Sequence, residues 1–159
     1  MMAESLADQV IRKIEQADDL YHRLVLIVAL AGAGKTTALQ EVEERTGAPL
    51  INVNLDLSRQ MLDLTERQRA LQLPGLLRDM LNNPTDEVFL LDNIEVLFDM
   101  SLKQDPLRLL QGLSRNKTVV AAWNGFIDGN YMIYAEPDHQ EYKRYIVRDF
   151  LVASTGVTA

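Results

Sequence analysis

Fully apolar runs alternate along this chain with amphipathic stretches. Residues 4–17 place Leu6, Val10, Ile11 and Ile14 on one helical stripe, which predicts a helix packed on a sheet. Residues 24–28 are apolar at every position, as in a strand buried on both faces. A helix is predicted over 37–45, stopped by Thr46-Gly47-Ala48-Pro49. Residues 50–55 read as a second strand nearer a sheet edge. Residues 58–72 are helical in pattern, with Thr65 placed to cap a second segment. Leu73-Pro74-Gly75 is expected to break that helix, and Pro74 to open the next one, through Asn82. Residues 88–92 form another buried strand, ending on Asp92. A helix over 98–112 has Asp105-Pro106 starting its second half, and a further buried strand covers 118–123. A short fifth strand at 131–134, a closing helix over 137–149 and a frayed tail at 153–159 complete the prediction. Strands alternating with helices imply a three-layer α/β fold around a mostly parallel five-stranded sheet, one domain over residues 1–152.

One stretch organises the rest: Ala29-Leu30-Ala31-Gly32-Ala33-Gly34-Lys35-Thr36, between the first apolar strand and a helix. Strand, small-residue loop and helix N-terminus are the context of a phosphate-binding P-loop. Inward-pointing backbone N–H groups and the helix dipole would hold the β- and γ-phosphates. Ala31, Gly32, Ala33 and Gly34 let backbone approach phosphate closely, and Thr37 continues the cradle into the helix. Lys35 is placed to reach the β/γ oxygens, and Thr36 to ligate Mg²⁺. The pattern's usual first glycine is Ala29 here, the mildest replacement.

The strand ending in Asp92 matches the Walker B pattern, in which the carboxylate holds Mg²⁺, usually through water. Many P-loop ATPases place a glutamate directly after that aspartate to polarise the attacking water. This chain has Asn93 there and Glu95 two positions on. Glu95 therefore either faces the γ-phosphate or simply begins the next helix. Asn124 sits where additional-strand P-loop ATPases carry a sensor amide able to hydrogen-bond the γ-phosphate or the water. Its alternative is an Asn-Gly turn. The predicted core is thus of the additional-strand class, AAA+-like without a lid domain, since the chain beyond Asn124 is too short for one. A cation acting on the transition state would come from Arg115, Arg144 or Arg148, or from a neighbouring subunit.

Composition narrows the picture. At 159 residues and 47% hydrophobic content, the chain suits one domain with a substantial core. No apolar run reaches transmembrane length, and the acidic N-terminus does not resemble a signal sequence, so a cytoplasmic location is expected. The absence of cysteine excludes disulfides, thiolate chemistry and cysteine zinc sites. A net charge of −7 argues against a broad nucleic-acid-binding face. Lys143, Arg144 and Arg148 form the one dense basic cluster, read as a solvated helix face or as a patch that oligomers could align on DNA.

Beyond the P-loop, Leu91-Asp92-Asn93-Ile94-Glu95-Val96-Leu97-Phe98, Asp105-Pro106-Leu107-Arg108-Leu109-Leu110, Ser114-Arg115-Asn116 and Thr118-Val119-Val120-Ala121-Ala122-Trp123 resemble the small P-loop protein of type 3 BREX (bacteriophage exclusion) systems. The segment Tyr134-Ala135-Glu136-Pro137-Asp138-His139-Gln140-Glu141-Tyr142 is similar too. The resemblance implies a cytoplasmic phage-defence component, encoded beside a large ATPase, an adenine methyltransferase, a helicase and a phosphatase-like protein.

Together these readings predict a slow or partner-stimulated ATPase using ATP and Mg²⁺, acting in a nucleotide-dependent homo-oligomer or defence complex. A non-hydrolysing scaffold would use the same phosphate-binding residues. A small-molecule kinase would also use a P-loop, but the chain lacks an evident arginine-rich lid.

Overall fold

The computed structural model describes residues 4–134 and 143–154. Helix α1, Leu6–Ala17, is capped by Ser5, whose hydroxyl accepts from the Asp8 N–H. Strand β1, Leu24–Ala29, is buried at every position. Helix α2, Lys35–Thr46, ends at Gly47, where the left-handed φ of 77° suits a residue without Cβ. Strand β2, Leu50–Asn52, is followed by α3, Val53–Gln60, and α4, Glu66–Met80. Strand β3 covers Val88–Asp92, and two short 3-10 turns, Ile94–Phe98 and Met100–Leu102, lead to α5, Pro106–Leu113. Strands β4, Thr118–Asp128, β5, Tyr131–Tyr134, β6, Lys143–Ile146, and β7, Leu151–Ser154, complete the described chain.

Five strands form a parallel sheet in the order β2-β3-β4-β1-β7, flanked by helices on both faces. The period-two alternation of β1 sorts its side chains. Val25 and Ile27 join Val10, Leu39 and Val42 beneath α1 and α2. Leu24, Leu26 and Val28 face the other way, into a cluster with Leu57, Leu73, Leu77, Leu97 and Leu110. Within the sheet, β4 lies between β1 and β3, which brings the ends of those two strands to either side of β4 near Asn124.

The α/β class and the mostly parallel sheet match the expectation, whereas several boundaries do not. The expected strand 50–55 stops at Asn52, because Val53 and Leu57 are buried at helical spacing and Asn52 Oδ1 caps the Leu55 N–H. Thr65 forms a full capping box with Gln68, as its position suggested. Pro74 does not break α4. Proline's missing N–H frees the Ala70 carbonyl, and Gln104 Nε2 donates to that oxygen at 3.0 Å, so the helix passes through. The helix expected over 98–112 is 3-10 turns at first and becomes α-helical only at Pro106, where Asp105 caps the Leu107 and Arg108 N–H groups.

The larger correction lies after Asn124. No turn occurs at Asn124-Gly125. β4 continues to Asp128 and its end pairs antiparallel with β5 across a two-residue turn, Gly129-Asn130, with Gly129 at φ +60°. Tyr131–Tyr134 is therefore a hairpin arm, and the fifth parallel strand is β7. Residues 143–146 of the expected closing helix form β6, paired with β5, with Tyr145 edge-on to Trp123 at 5.4 Å. Residues 147–149 of that prediction are not helical either, and residues 137–142 lie outside the described residues. So do residues 155–159, while Ala153 is buried in β7 where a frayed tail was expected to begin. Met132, Tyr134 and Phe150 share the cluster that holds Trp123, so this part of the chain completes the core on that face. Gly125 makes the hairpin possible, because a Cβ there would overlap the Ile133 carbonyl.

Candidate functional site

Ligands of open parallel sheets bind in the crevice beyond the carboxyl ends of the strands. Such a crevice, of about 380 Å³, opens here where β1 and β3 end, beside Asn124 of β4. Its near wall is the loop 30–34 and the first turn of α2, with Ala31, Gly32, Gly34, Lys35, Thr36 and Thr37 lining it. Gly32 and Gly34 take φ of +83° and +92°, a region where a Cβ would be strained. Ala29 is the last residue of β1, paired in register with Asn124, and needs no such freedom. That accounts for alanine at the position usually held by the pattern's first glycine. Ala33, expected in the cradle, does not line the crevice; its N–H closes the turn onto the Leu30 carbonyl at 3.1 Å.

Lys35 opens α2 and is only 7% exposed. Its ammonium donates to the carbonyls of Ala29 and Leu30, each at 2.8 Å, which holds the cation inside the curve of the loop. Beside it, Thr36 Oγ1 donates to Asp92 Oδ2 at 2.7 Å. This contact spans 56 residues of sequence and places a hydroxyl and a carboxylate side by side at the ends of α2 and β3. Neighbouring ligands of an octahedral Mg²⁺ lie about 2.9 Å apart, so the pair fits that ion's needs. Magnesium takes few protein ligands and keeps water and phosphate for the rest. Among the described residues no group of three or more His, Cys, Asp or Glu side chains could hold a metal.

The far wall is Asp92, Asn93, Glu95 and Asn124. Asn93 adopts a left-handed conformation, φ 56° and ψ 54°, and its N–H donates to Asp92 Oδ1 at 2.9 Å. Its carbonyl accepts from the Asn54 N–H, tying the end of β3 to the start of α3. This bend starts the 3-10 turn and carries Glu95 into the crevice. Glu95 thus begins a helical turn and also lines the crevice. Asn124 Nδ2 donates to Glu95 Oε1 at 2.6 Å. Asn124 and Asp92 are each 8% exposed.

Nearly all the predicted site residues thus converge. Asn93 also lines the crevice, although its place in the sequence marked it only as a departure from the usual glutamate; asparagine's tolerance of positive φ was the available signal. The three arginines considered for transition-state charge are elsewhere. Arg115 stacks over Tyr21 at 5.0 Å, Arg144 over Tyr131 at 3.8 Å, and Arg148 lies 3.9 Å from Asp149. No arginine lines the crevice among the described residues.

No protein-family model matches the chain, and no curated protein matches it. None of its described helices is long and apolar enough to cross a membrane.

Proposed function

We propose that this chain is a P-loop nucleotide-binding protein of the additional-strand class that binds ATP with Mg²⁺ and hydrolyses it slowly. The observation that carries the reading is the Thr36–Asp92 pair at 2.7 Å, beside a buried lysine and two left-handed glycines. The loop N–H groups and the α2 N-terminus hold the β- and γ-phosphates. Lys35 leaves the Ala29 and Leu30 carbonyls and carries its charge to the β/γ oxygens. Thr36 and Asp92 hold Mg²⁺, which when bound neutralises charge developing on the phosphate oxygens. Glu95, positioned by Asn124, orients and polarises a water for attack on the γ-phosphorus, giving ADP and inorganic phosphate.

Among the described residues no arginine lines the crevice, and the activating cation then comes from a partner or another copy. Weak turnover in isolation is then expected, and the sequence resemblance alone suggests its setting, an assembly role within a cytoplasmic type 3 BREX phage-defence complex. DNA contact belongs to that assembly. The same absence favours a second reading, a nucleotide-loaded scaffold that does not hydrolyse. Single-turnover hydrolysis of radiolabelled ATP separates the two. Released phosphate that falls at least about a hundredfold in Glu95→Gln, with ATP affinity retained, supports the ATPase. Bound ATP with no phosphate released by wild type above the protein-free background assigns the scaffold.

A further inference from the structure

Two more cavities open where α3, α4 and the 3-10 turns meet. One, of about 250 Å³, has Met61, Leu62, Val96 and Leu102 in its walls. The other, of about 440 Å³, is bounded by Arg67, Ala70, Leu71 and Lys103. Ser101 lines both, so the cavities adjoin. Their surroundings hold the most exposed leucines of the described chain, Leu62 at 74% and Leu71 at 72%, and Met100 next to Ser101 is 64% exposed. Large apolar side chains gathered around cavities mark a contact surface.

Charge says what covers it. The chain is strongly acidic overall, yet Arg67 and Lys103 stand on this rim with no ion-pair partner among the described residues. Glu66 and Asp99 also line these cavities, and against them stand three cations, Arg67, Arg69 and Lys103, so the combined lining is basic by one charge. Arg69 also lines the first cavity, its Nε bonded to the Leu64 carbonyl. An acidic partner with apolar anchors matches this surface, and an amphipathic helix offers such anchors at i, i+4 and i+7.

The back wall gives the surface a consequence. Val96 lines the first cavity, and the adjacent Glu95 lines the crevice at the end of the sheet. The turn Ile94–Phe98 is thus a partition between the two, and a 3-10 turn is readily reshaped because its hydrogen bonds are poorly aligned.

We propose that this face docks an acidic amphipathic helix of a partner protein, its apolar side chains entering the two cavities and its carboxylates meeting Arg67 and Lys103. Docking then presses on the turn and sets the position of Glu95, which is the route of partner stimulation; this second half rests on the ATPase reading above. The test titrates the full chain, without nucleotide, into three labelled helical peptides with leucines at i, i+4 and i+7 and with glutamate, glutamine or lysine between them. Fluorescence anisotropy is expected to rank them glutamate, glutamine, lysine. Leu62→Ser with Leu71→Ser weakens the glutamate peptide at least about tenfold. Arg67→Glu with Lys103→Glu shifts preference to the lysine peptide. Equal binding of all three peptides, or indifference to the leucine changes, overturns the docking site. Self-association that the leucine variant abolishes, read by light scattering, overturns it in favour of a second copy. ATP turnover with the glutamate peptide added tests the coupling. Bound peptide that leaves a measurable wild-type rate unchanged overturns the coupling. Bound peptide with no hydrolysis under any condition counts against the ATPase reading and leaves the docking site supported.

Discussion

The two walls of the crevice are built by different means. The near wall is local: one strand end, two glycines and a helix start, all within the span from Ala29 to Thr37, set its shape. The far wall is assembled from distant pieces. Asp92 comes from β3, Glu95 from a 3-10 turn and Asn124 from β4, and the links are Thr36–Asp92 and Asn124–Glu95. A locally built wall tolerates change elsewhere in the fold, whereas the far wall depends on β4 holding its place between β1 and β3. Damage to the near wall should therefore cost ligand binding with little loss of fold, and damage behind the far wall should cost the fold itself.

The largest effect is expected at Gly125, directly after Asn124. A side chain there meets the Ile133 carbonyl, so Gly125→Val should destabilise the protein by about 3 kcal/mol or more, read as a lower midpoint in urea. An unchanged midpoint would mean that the hairpin does not constrain the far wall. Gly34→Ala should cost about 1–2 kcal/mol, since its φ of +92° is strained for any side chain but no atom lies within 4 Å of the added carbon. Its effect on ATP affinity should exceed its effect on the urea midpoint; the reverse order would break the contrast between the walls.

Asn93→Gly acts in the other direction. The left-handed backbone at Asn93 is easier for glycine, and stability should rise or stay level within about 1 kcal/mol in the same urea measurement. The smallest effect concerns pH and sits far from either wall. Arg45 donates to Asp8, joining α2 to α1, and this hydrogen bond holds the Asp8 carboxyl below its ordinary value of 3.8. A depressed carboxyl contributes stability above its unfolded pKa and loses it as pH falls through the folded value. Asp8→Asn should therefore narrow the gap between midpoints measured at pH 7 and below pH 3.8, and only slightly, because the pair is exposed and screened by water.

The same contrast explains what the sequence made legible. Near-wall residues stand in one continuous stretch, and their chemistry follows from spacing and backbone freedom. Asp92 could be placed because an apolar strand ending in a carboxylate is also a local pattern. The bend that brings Glu95 into the crevice was not legible, since it depends on Asn93 in a left-handed conformation tied to Asn54 of α3. Pro74 misled for a similar reason: the partner that keeps α4 whole, Gln104, lies on a loop 34 residues from Ala70. The C-terminal region was least legible. Lys143–Ile146 pairs with Tyr131–Tyr134 in a hairpin sheet packed on Trp123 and Phe98, whereas the sequence reads there as a closing helix over 137–149.

Every role proposed for the crevice requires that the loop holding Lys35 bind the phosphates of ATP. Isothermal calorimetry of ATP with Mg²⁺ against wild type and Lys35→Ala tests it directly. Wild type should bind saturably, and affinity should be lower by about a hundredfold in the variant, the worth of a charge-assisted contact in a buried site. Equal affinity in the two proteins, or no binding by wild type, would contradict it.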